Sequence, residues 1–356
     1  MAPDGPEQAG APGARDGMLA VMDTLSLILD DMRLQGSVFV YTHASAPWSL
    51  RLHTPGVAAF HIVTGGSAWL LRQGREPLAL QAGDLVILPS GDDHRVQDRP
   101  GHEGPPTDLL PLISAPNRPD EPLRLGGGGT ATTLVSGHTR FDAAMAAPLL
   151  AALPPLMHVR SDGDAPAPWL AIGLQFLAQE VSAPRPAQQA IINRISDIML
   201  IECIRDHVES LPEGSGNWLV ALRDKALSTA LGQMHREPAR NWTVHELAAL
   251  ACLSRSAFAE RFTLALGRPP LAYLTQHRMR LAARQLAGSL QPISRIADSV
   301  GYASETAFSQ AFKREYGCSP SIWREQQARA RLPQAEPATQ ADESAADPLP
   351  PGRACG

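Results

Sequence analysis

Between residues 247 and 323 this chain states one pattern twice. Leu247-Ala248, Ser254, Phe258 and Phe262 return as Ile296-Ala297, Ser304, Phe308 and Phe312. The echo continues, because Gly267, Pro270 and Tyr273 come back fifty residues later as Gly317, Pro320 and Trp323. A repeat of that length is one supersecondary unit. Two copies imply two equivalent surfaces, and any fold assigned to the segment must build the same unit twice.

Each copy reads as helix, tight turn, helix. Thr243 and Glu246 have capping-box spacing, which starts the first helix of copy one at Val244 and lets it run to near Cys252. The turns are Cys252-Leu253-Ser254 and Gly301-Tyr302-Ala303-Ser304, the second one residue longer, and each serine is placed to cap the following helix. Within those helices Phe258 and Phe262, or Phe308 and Phe312, are four apart, so they share one face and leave the opposite face free. Gly267 and Gly317 suit left-handed caps, with prolines just beyond. A second helix whose outer face is small and polar is the part of a helix-turn-helix that enters the DNA major groove.

Tandem units joined by one continuous helix resemble the DNA-binding domain of the AraC/XylS family of transcription regulators. The resemblance spans about residues 220 to 328 and includes the joining segment 270 to 286, whose Leu271, Leu274, Met279, Leu281, Ala282 and Leu286 form an apolar stripe. At ~1.5 Å per residue such a helix is roughly 25 Å long, enough to set two recognition helices about one DNA turn, ~34 Å, apart. By resemblance, Ser256, Ala259 and Glu260, then Glu305, Thr306, Ser309 and Gln310, occupy base-reading positions. Arg255, Lys313 and Arg314 are better suited to phosphate, Gln310 to an adenine edge, and Glu260 or Glu305 to cytosine N4. Ala259 stands where the family often has a polar residue, so copy one is expected to read fewer bases.

Charge points the same way. Residues 218 to 332 carry 16 Lys+Arg against 8 Asp+Glu, whereas residues 1 to 217 carry 14 against 24. A basic segment on an acidic one is the footprint of a nucleic-acid binder whose other half has a different partner.

That other half has a period of two. From residue 57 to 94, short apolar runs alternate with turn signals: 58 to 64, 68 to 71, 78 to 80 and 85 to 88, separated by glycines, aspartate and proline. Such strands predict a small antiparallel barrel or jelly roll. Gly83, Pro89-Ser90-Gly91 and His94 resemble the second cupin motif: a glycine, five residues, Pro-x-Gly, two residues and a histidine. Aligning the first cupin motif on Gly65 and Gly66 puts Arg51, His53 and Ala58 where two histidines and a glutamate usually stand. His53 and His94 alone would hold a metal weakly, and His61 has the wrong strand parity from Ala58 unless a bulge intervenes, so no metal and no cofactor is assigned. The residues named for an effector pocket are His53, His61, Trp69 and His94, with core packing as the alternative for Trp69.

Residues 99 to 130, rich in proline and ending in Gly126-Gly127-Gly128-Gly129, read as a loop inserted in the barrel; 132 to 141 reads as a returning strand. Cupin-type members of the family often have a cysteine where this chain has Ser136, and Cys203, Cys252, Cys318 and Cys355 all fall outside the barrel, which excludes a thiol sensor there. Four cysteines without metal spacing imply a reducing compartment. Residues 168 to 210 carry two helical patterns broken at 184 to 186, suited to a dimer contact or to packing on the barrel. Residues 211 to 217 read as a short hinge that lets the domains move.

The expected fold class is α+β: a cupin-like β-barrel (jelly roll) with a helical appendage, then an all-α tandem helix-turn-helix domain. The divisions are a disordered tail at 1–17, the sensor at 18–165, helical linker or dimerisation helices at 166–217, the DNA-binding domain at 218–328 with units at 243–263 and 293–314, and a disordered tail at 329–356. The polar start lacks the features of a signal peptide, and the most apolar window, 143 to 159, is broken by three prolines, so no membrane role is expected. The expectation is a cytoplasmic, non-enzymatic regulator, a homodimer through its helix pair, that binds double-stranded promoter DNA under control of an unknown small-molecule effector. RNA polymerase is a further candidate partner by resemblance. The competing classes are a cupin enzyme with a DNA-binding appendage and a structural nucleoid-type binder.

Overall fold

A computed structural model describes residues 23–33, 37–114, 122–161, 167–182, 185–212 and 217–331. The termini assigned as tails, and the centre of the 211–217 hinge, lie outside the described residues apart from 329–331, which end the last helix.

The amino-terminal half is two facing sheets. The strands are β1 (Ser37–Ser45), β2 (Ser49–Leu52), β3 (Ala58–Gly65), β4 (Ser67–Arg72), β5 (Leu78–Gln81), β6 (Leu85–Leu88), β7 (His94–Gln97), β8 (Thr107–Asp108), β9 (Leu123–Gly126), β10 (Ala131–Thr139) and β11 (Met157–Val159). One sheet runs β11-β6-β3-β10-β1-β9 and the other β5-β4-β7-β2-β8. Between them lies an apolar core that includes Val40, Ala59 and Leu134 from the first sheet and Leu50, Leu70 and Leu80 from the second. The outer face of the six-stranded sheet is also covered. Its Phe39, Phe60, Ile62 and Val135 pack against helices α1 (Thr24–Met32), α3 (Ala143–Ala152), α4 (Pro168–Ser182) and α5 (Gln188–Ser210). Burial on both faces explains why the first six residues of β3 are all buried, and five of them apolar, rather than alternating.

The proline- and glycine-rich stretch 99–130 corrects its reading as a plain loop. It contains β8, the short helix α2 (Leu110–Ser114) and β9, and it buries Leu109 and Ile113 completely. Its two strands add parallel to β2 and β1, partners far away in sequence that a local pattern cannot reveal. In the cupin-like motif, Gly91 has φ 66°, and a β-carbon there would lie 1.9 Å from the Thr54 carbonyl oxygen, so only glycine fits.

The α4–α5 hairpin packs on the barrel, one of the two purposes that its pattern allowed, and keeps an exposed apolar face. Leu170, Leu177, Met199 and Ile204 are buried against the sheet and its helices, while Ile172, Phe176, Ile191 and Ile198 stay exposed. Cys203 sits within this helical layer, buried, with burial raising its thiol far above the ordinary range, so it is no reactive thiolate.

The carboxy-terminal half is all helix: a 3-10 turn (Trp218–Leu222), α6 (Lys225–Arg236), α7 (Val244–Leu250), α8 (Arg255–Leu266), α9 (Pro270–Gly288), α10 (Ile293–Ser299), α11 (Glu305–Tyr316) and α12 (Pro320–Arg331). The boundary with the sensor is packed rather than loose, which corrects the hinge expectation. Leu219 is fully buried in the sensor's helical core, Trp218 Nε1 donates to the Pro148 carbonyl at 3.1 Å, and Asn217 Nδ2 donates to the Ala152 carbonyl at 2.7 Å. Met145 of α3 joins Met279 and Leu281 of α9 in one cluster. Among the described residues no helix is long and apolar enough to cross a membrane.

Candidate nucleic-acid interface and sensor barrel

The two helix-turn-helix units close their turns and cap their recognition helices in the same way, though only the first begins with a side-chain cap. The Thr243 side chain caps the Glu246 amide and Glu246 caps Thr243 in return, fixing the start of α7. Leu253 N–H then bonds the Ala248 carbonyl, and Tyr302 N–H bonds the Ala297 carbonyl, both at 2.9 Å. These bonds close each first helix in the same way, with Cys252 and Gly301 in left-handed conformation. Ser254 and Ser304 cap α8 and α11 through the amides of Ala257 and Ala307, and Gly267 and Gly317 end those helices in left-handed caps. The extra residue of the second turn, Ala303, falls after this shared geometry.

Each recognition helix is anchored by phenylalanines with no exposure at all: Phe258 and Phe262 in one, Phe308 and Phe312 in the other. Phe262 meets Tyr273 edge-on at 5.8 Å between centroids, and Phe312 meets Trp323 edge-on at 6.1 Å. Fully burying one such ring contributes on the order of 3 kcal/mol, so each anchor fixes the rotation of its helix. The opposite face is therefore wet. Arg255, Ser256 and Glu260 on α8 are exposed and Ala259 half-buried; Glu305, Thr306, Gln310, Lys313 and Arg314 on α11 are exposed and Ser309 half-buried. Among the described residues none of Arg255, Glu260, Glu305, Lys313 and Arg314 is in an ion pair, whereas Arg261 is held by Asp224 at 2.6 Å. Leu264, missed in the sequence, is 84% exposed on α8. The α9 helix belongs to both units. Its Tyr273 and Leu274 enter the first core, and its Met279, Ala282 and Leu286 the second.

In the barrel the four residues named for an effector pocket separate. His53 is exposed. Trp69 lies half-buried between Ala68 and Leu70, which point into the core, so it is on the outward side of its strand. His61 and His94 do come together, buried between the sheets, with their Nε2 atoms 2.7 Å apart. The parity argument is resolved by direction. Ala58, Phe60 and Ile62 face the helices, while Ala59, His61 and Val63 face the barrel interior, so the alignment that gave Ala58 a ligand's place fails. Ser136, opposite His61 on β10, contacts His61 Nδ1 at 2.8 Å, and His94 Nδ1 donates to the Asp92 carbonyl at 2.6 Å. One neutral arrangement satisfies every atom: Ser136 O–H to His61 Nδ1, His61 Nε2–H to His94 Nε2, and His94 Nδ1–H to the carbonyl. Burial, and for His61 also the neighbouring His94, lowers both imidazoles below their usual range, as a neutral pair requires.

The barrel pair does not suit the metal that cupins commonly hold. The two nitrogens are hydrogen-bonded to each other, Arg51 engages the nearby Asp93 carboxylate at 2.7 and 2.9 Å, and no third ligand joins them among the described residues.

A facing-sheet sensor fused to two surface-presented recognition helices on a shared spacer defines a DNA-binding transcription regulator. Comparison with known proteins agrees. The chain matches the cupin family over residues 23–209 and a helix-turn-helix domain family over residues 247–326. It is 37% identical to the HTH-type transcriptional regulator AlkR of Acinetobacter baylyi, over 86% of this chain and all of that protein. It is 34% identical to an AraC-like transcription regulator of Streptomyces lividans over 85% of this chain and 98% of that one. It is also 30% identical to the transcriptional activator RclR of Escherichia coli over 85% and 98%. Among solved structures, the DNA-binding domain of AdpA bound to target DNA matches at 31% identity and a TM-score of 0.29, covering 32% of this chain and 99% of that one. The chain belongs to the AraC family of transcription regulators with an amino-terminal cupin domain, and is a DNA-binding regulator rather than an enzyme.

Proposed function

We propose that this regulator works in the cytoplasm as a homodimer, each subunit reading two successive major grooves of promoter DNA. Ser256, Ala259 and Glu260 would read one groove and Glu305, Thr306, Ser309 and Gln310 the next, with Arg255, Lys313 and Arg314 on phosphates. The observation that carries this reading is the pair of equivalent helices, each locked by two unexposed phenylalanines and tied to the same spacer. Nineteen residues of α9 span roughly 28 Å at ~1.5 Å each, close to one turn of DNA. Copy two carries the richer readout, because Ser309 and Arg314 stand where copy one has Ala259 and Leu264, and Lys313 adds a second cation beside Thr306 and Gln310.

The exposed apolar residues of the α4–α5 hairpin, Ile172, Phe176, Ile191 and Ile198, support a dimer contact there. A small effector would act through the sensor. Because α1 and α3 pack on the DNA-binding half, a ligand favouring one sensor conformation changes how readily both recognition helices engage DNA together.

The test is binding of the full chain to a selected genomic fragment and to random DNA across a salt series. Sequence-specific reading should give at least ~10³-fold preference for the selected fragment at physiological salt. Comparable affinities at every salt concentration would instead indicate a nucleoid-type binder.

A further inference from the structure

Where the sensor docks against the DNA-binding half, three helices bring together an aspartate and two histidines. Asp31 lies on α1, His235 on α6 and His277 on α9. Asp31 Oδ2 accepts a hydrogen bond from His235 Nδ1 at 2.9 Å and stands 3.8 Å from His277 Nε2. One ligand atom from each residue falls within 4.8 Å of the other two, and the imidazole centroids are 4.1 Å apart.

His277 is the anomaly. It is wholly buried, yet neither ring nitrogen has a hydrogen-bond partner. A buried imidazole with two idle nitrogens is costly and calls for a ligand. Burial foremost, then His235 and the arginines on α9, hold it neutral, which is the form that donates to a metal. His235 is prepared in a different way. Its Nε2 is engaged by the Tyr273 hydroxyl at 2.9 Å, which orients the ring and leaves Nδ1 toward the cluster. Arg284 reaches the Asp31 carbonyl oxygen at 2.8 Å and stands 4.0 Å from Oδ1, so Oδ2 remains for the histidines.

We propose that Asp31, His235 and His277 form a divalent transition-metal site of the zinc class, which fastens the sensor's first helix to the DNA-binding domain. Ligand atoms around a tetrahedral zinc at ~2.0–2.2 Å stand roughly 3.4 Å apart, and the observed 2.9 and 3.8 Å straddle that separation. Two imidazoles and one carboxylate suit zinc, cobalt or nickel rather than calcium or magnesium. On binding, neutral His235 takes its Nε2–H tautomer, donating to the Tyr273 hydroxyl and freeing the Nδ1 lone pair for the metal, and a water completes the fourth position. Its ligands come from both halves, so metal favours the docked arrangement over the undocked one by mass action.

The test uses the full chain, stripped with chelator, dialysed and titrated with cobalt(II) under visible absorption, then with zinc during thermal unfolding. The wild type should take one metal per chain, develop the d–d bands of tetrahedral cobalt, and melt several degrees higher in saturating zinc. D31N, H235Q and H277Q should each weaken binding at least tenfold and lose the thermal shift, while H94Q in the barrel keeps both. If H277Q does not fold, D31N and H235Q decide the matter. Stoichiometric binding that survives D31N and H235Q, binding lost in H94Q alone, or no saturable binding by the wild type would each overturn the proposal.

Discussion

Cys252 and Gly301 hold the same place in the turns of the two helix-turn-helix units, with φ angles of 54° and 83°. A left-handed cysteine carries about 1 kcal/mol of backbone strain. Replacing it with glycine relieves that strain but also loosens the unfolded chain. C252G should therefore change stability by between zero and about 1 kcal/mol in the stabilising direction. At the sister position a β-carbon would lie 2.4 Å from the Ala239 carbonyl oxygen, so G301A should destabilise by about 2 kcal/mol or more. Chemical denaturation of the two variants gives opposite signs if the turns are equivalent.

The exposed apolar face of the α4–α5 hairpin predicts an assembly phenotype without a folding one. Phe176 and Ile198 are 54% and 57% exposed, so charging either removes little of the intrachain core. F176D and I198D should shift micromolar protein from dimer toward monomer in sedimentation velocity, with unfolding free energy changed by no more than about 0.5 kcal/mol.

The buried pair His61 and His94 makes stability fall with acid. Both imidazoles have folded pKa values below their usual one, so above the unfolded value of about 6.5 neither state binds the proton and the pair contributes no slope. Below it the unfolded chain takes up protons that the folded chain excludes, and each excluded proton costs up to ~1.4 kcal/mol per pH unit. H61Q should flatten the decline of melting temperature between pH 6.5 and 5. An unchanged slope would show that His61 already exchanges its proton in the folded protein.

Lys313 and Arg314, exposed and without ion pairs among the described residues, are expected to neutralise phosphates rather than read bases. K313A and R314A should each weaken binding to all sequences alike and reduce the slope of log affinity against log salt by about one. Titrations on selected and random fragments at several salt concentrations check this.

Much of this architecture is written in local patterns. The phenylalanine pairs, the Thr243–Glu246 capping box and the paired glycines Gly267 and Gly317 each declare a helix face or end within four residues, and all are found in place. What escaped the sequence depends on partners remote along the chain. The burial of Leu109 and Ile113 follows from β8 and β9 adding to distant strands, and the packing of Trp218 on Pro148 closes a boundary whose composition suggested a hinge. Parity with Ala58 sets His61 on the wrong side, but a strand buried on both faces has two inward sides, and only the fold shows which faces His94. Asp31, His235 and His277 have no common spacing and meet only through domain docking.

In the proposed mode of binding, α8 and α11 read separate parts of one operator. Selection of bound fragments from genomic DNA with the wild type, Q310A and E260A checks this. A two-part motif with centres about one helical turn, ~34 Å, apart is expected, in which each substitution relaxes one part and leaves the other intact. A preferred sequence unaltered by both substitutions would contradict it.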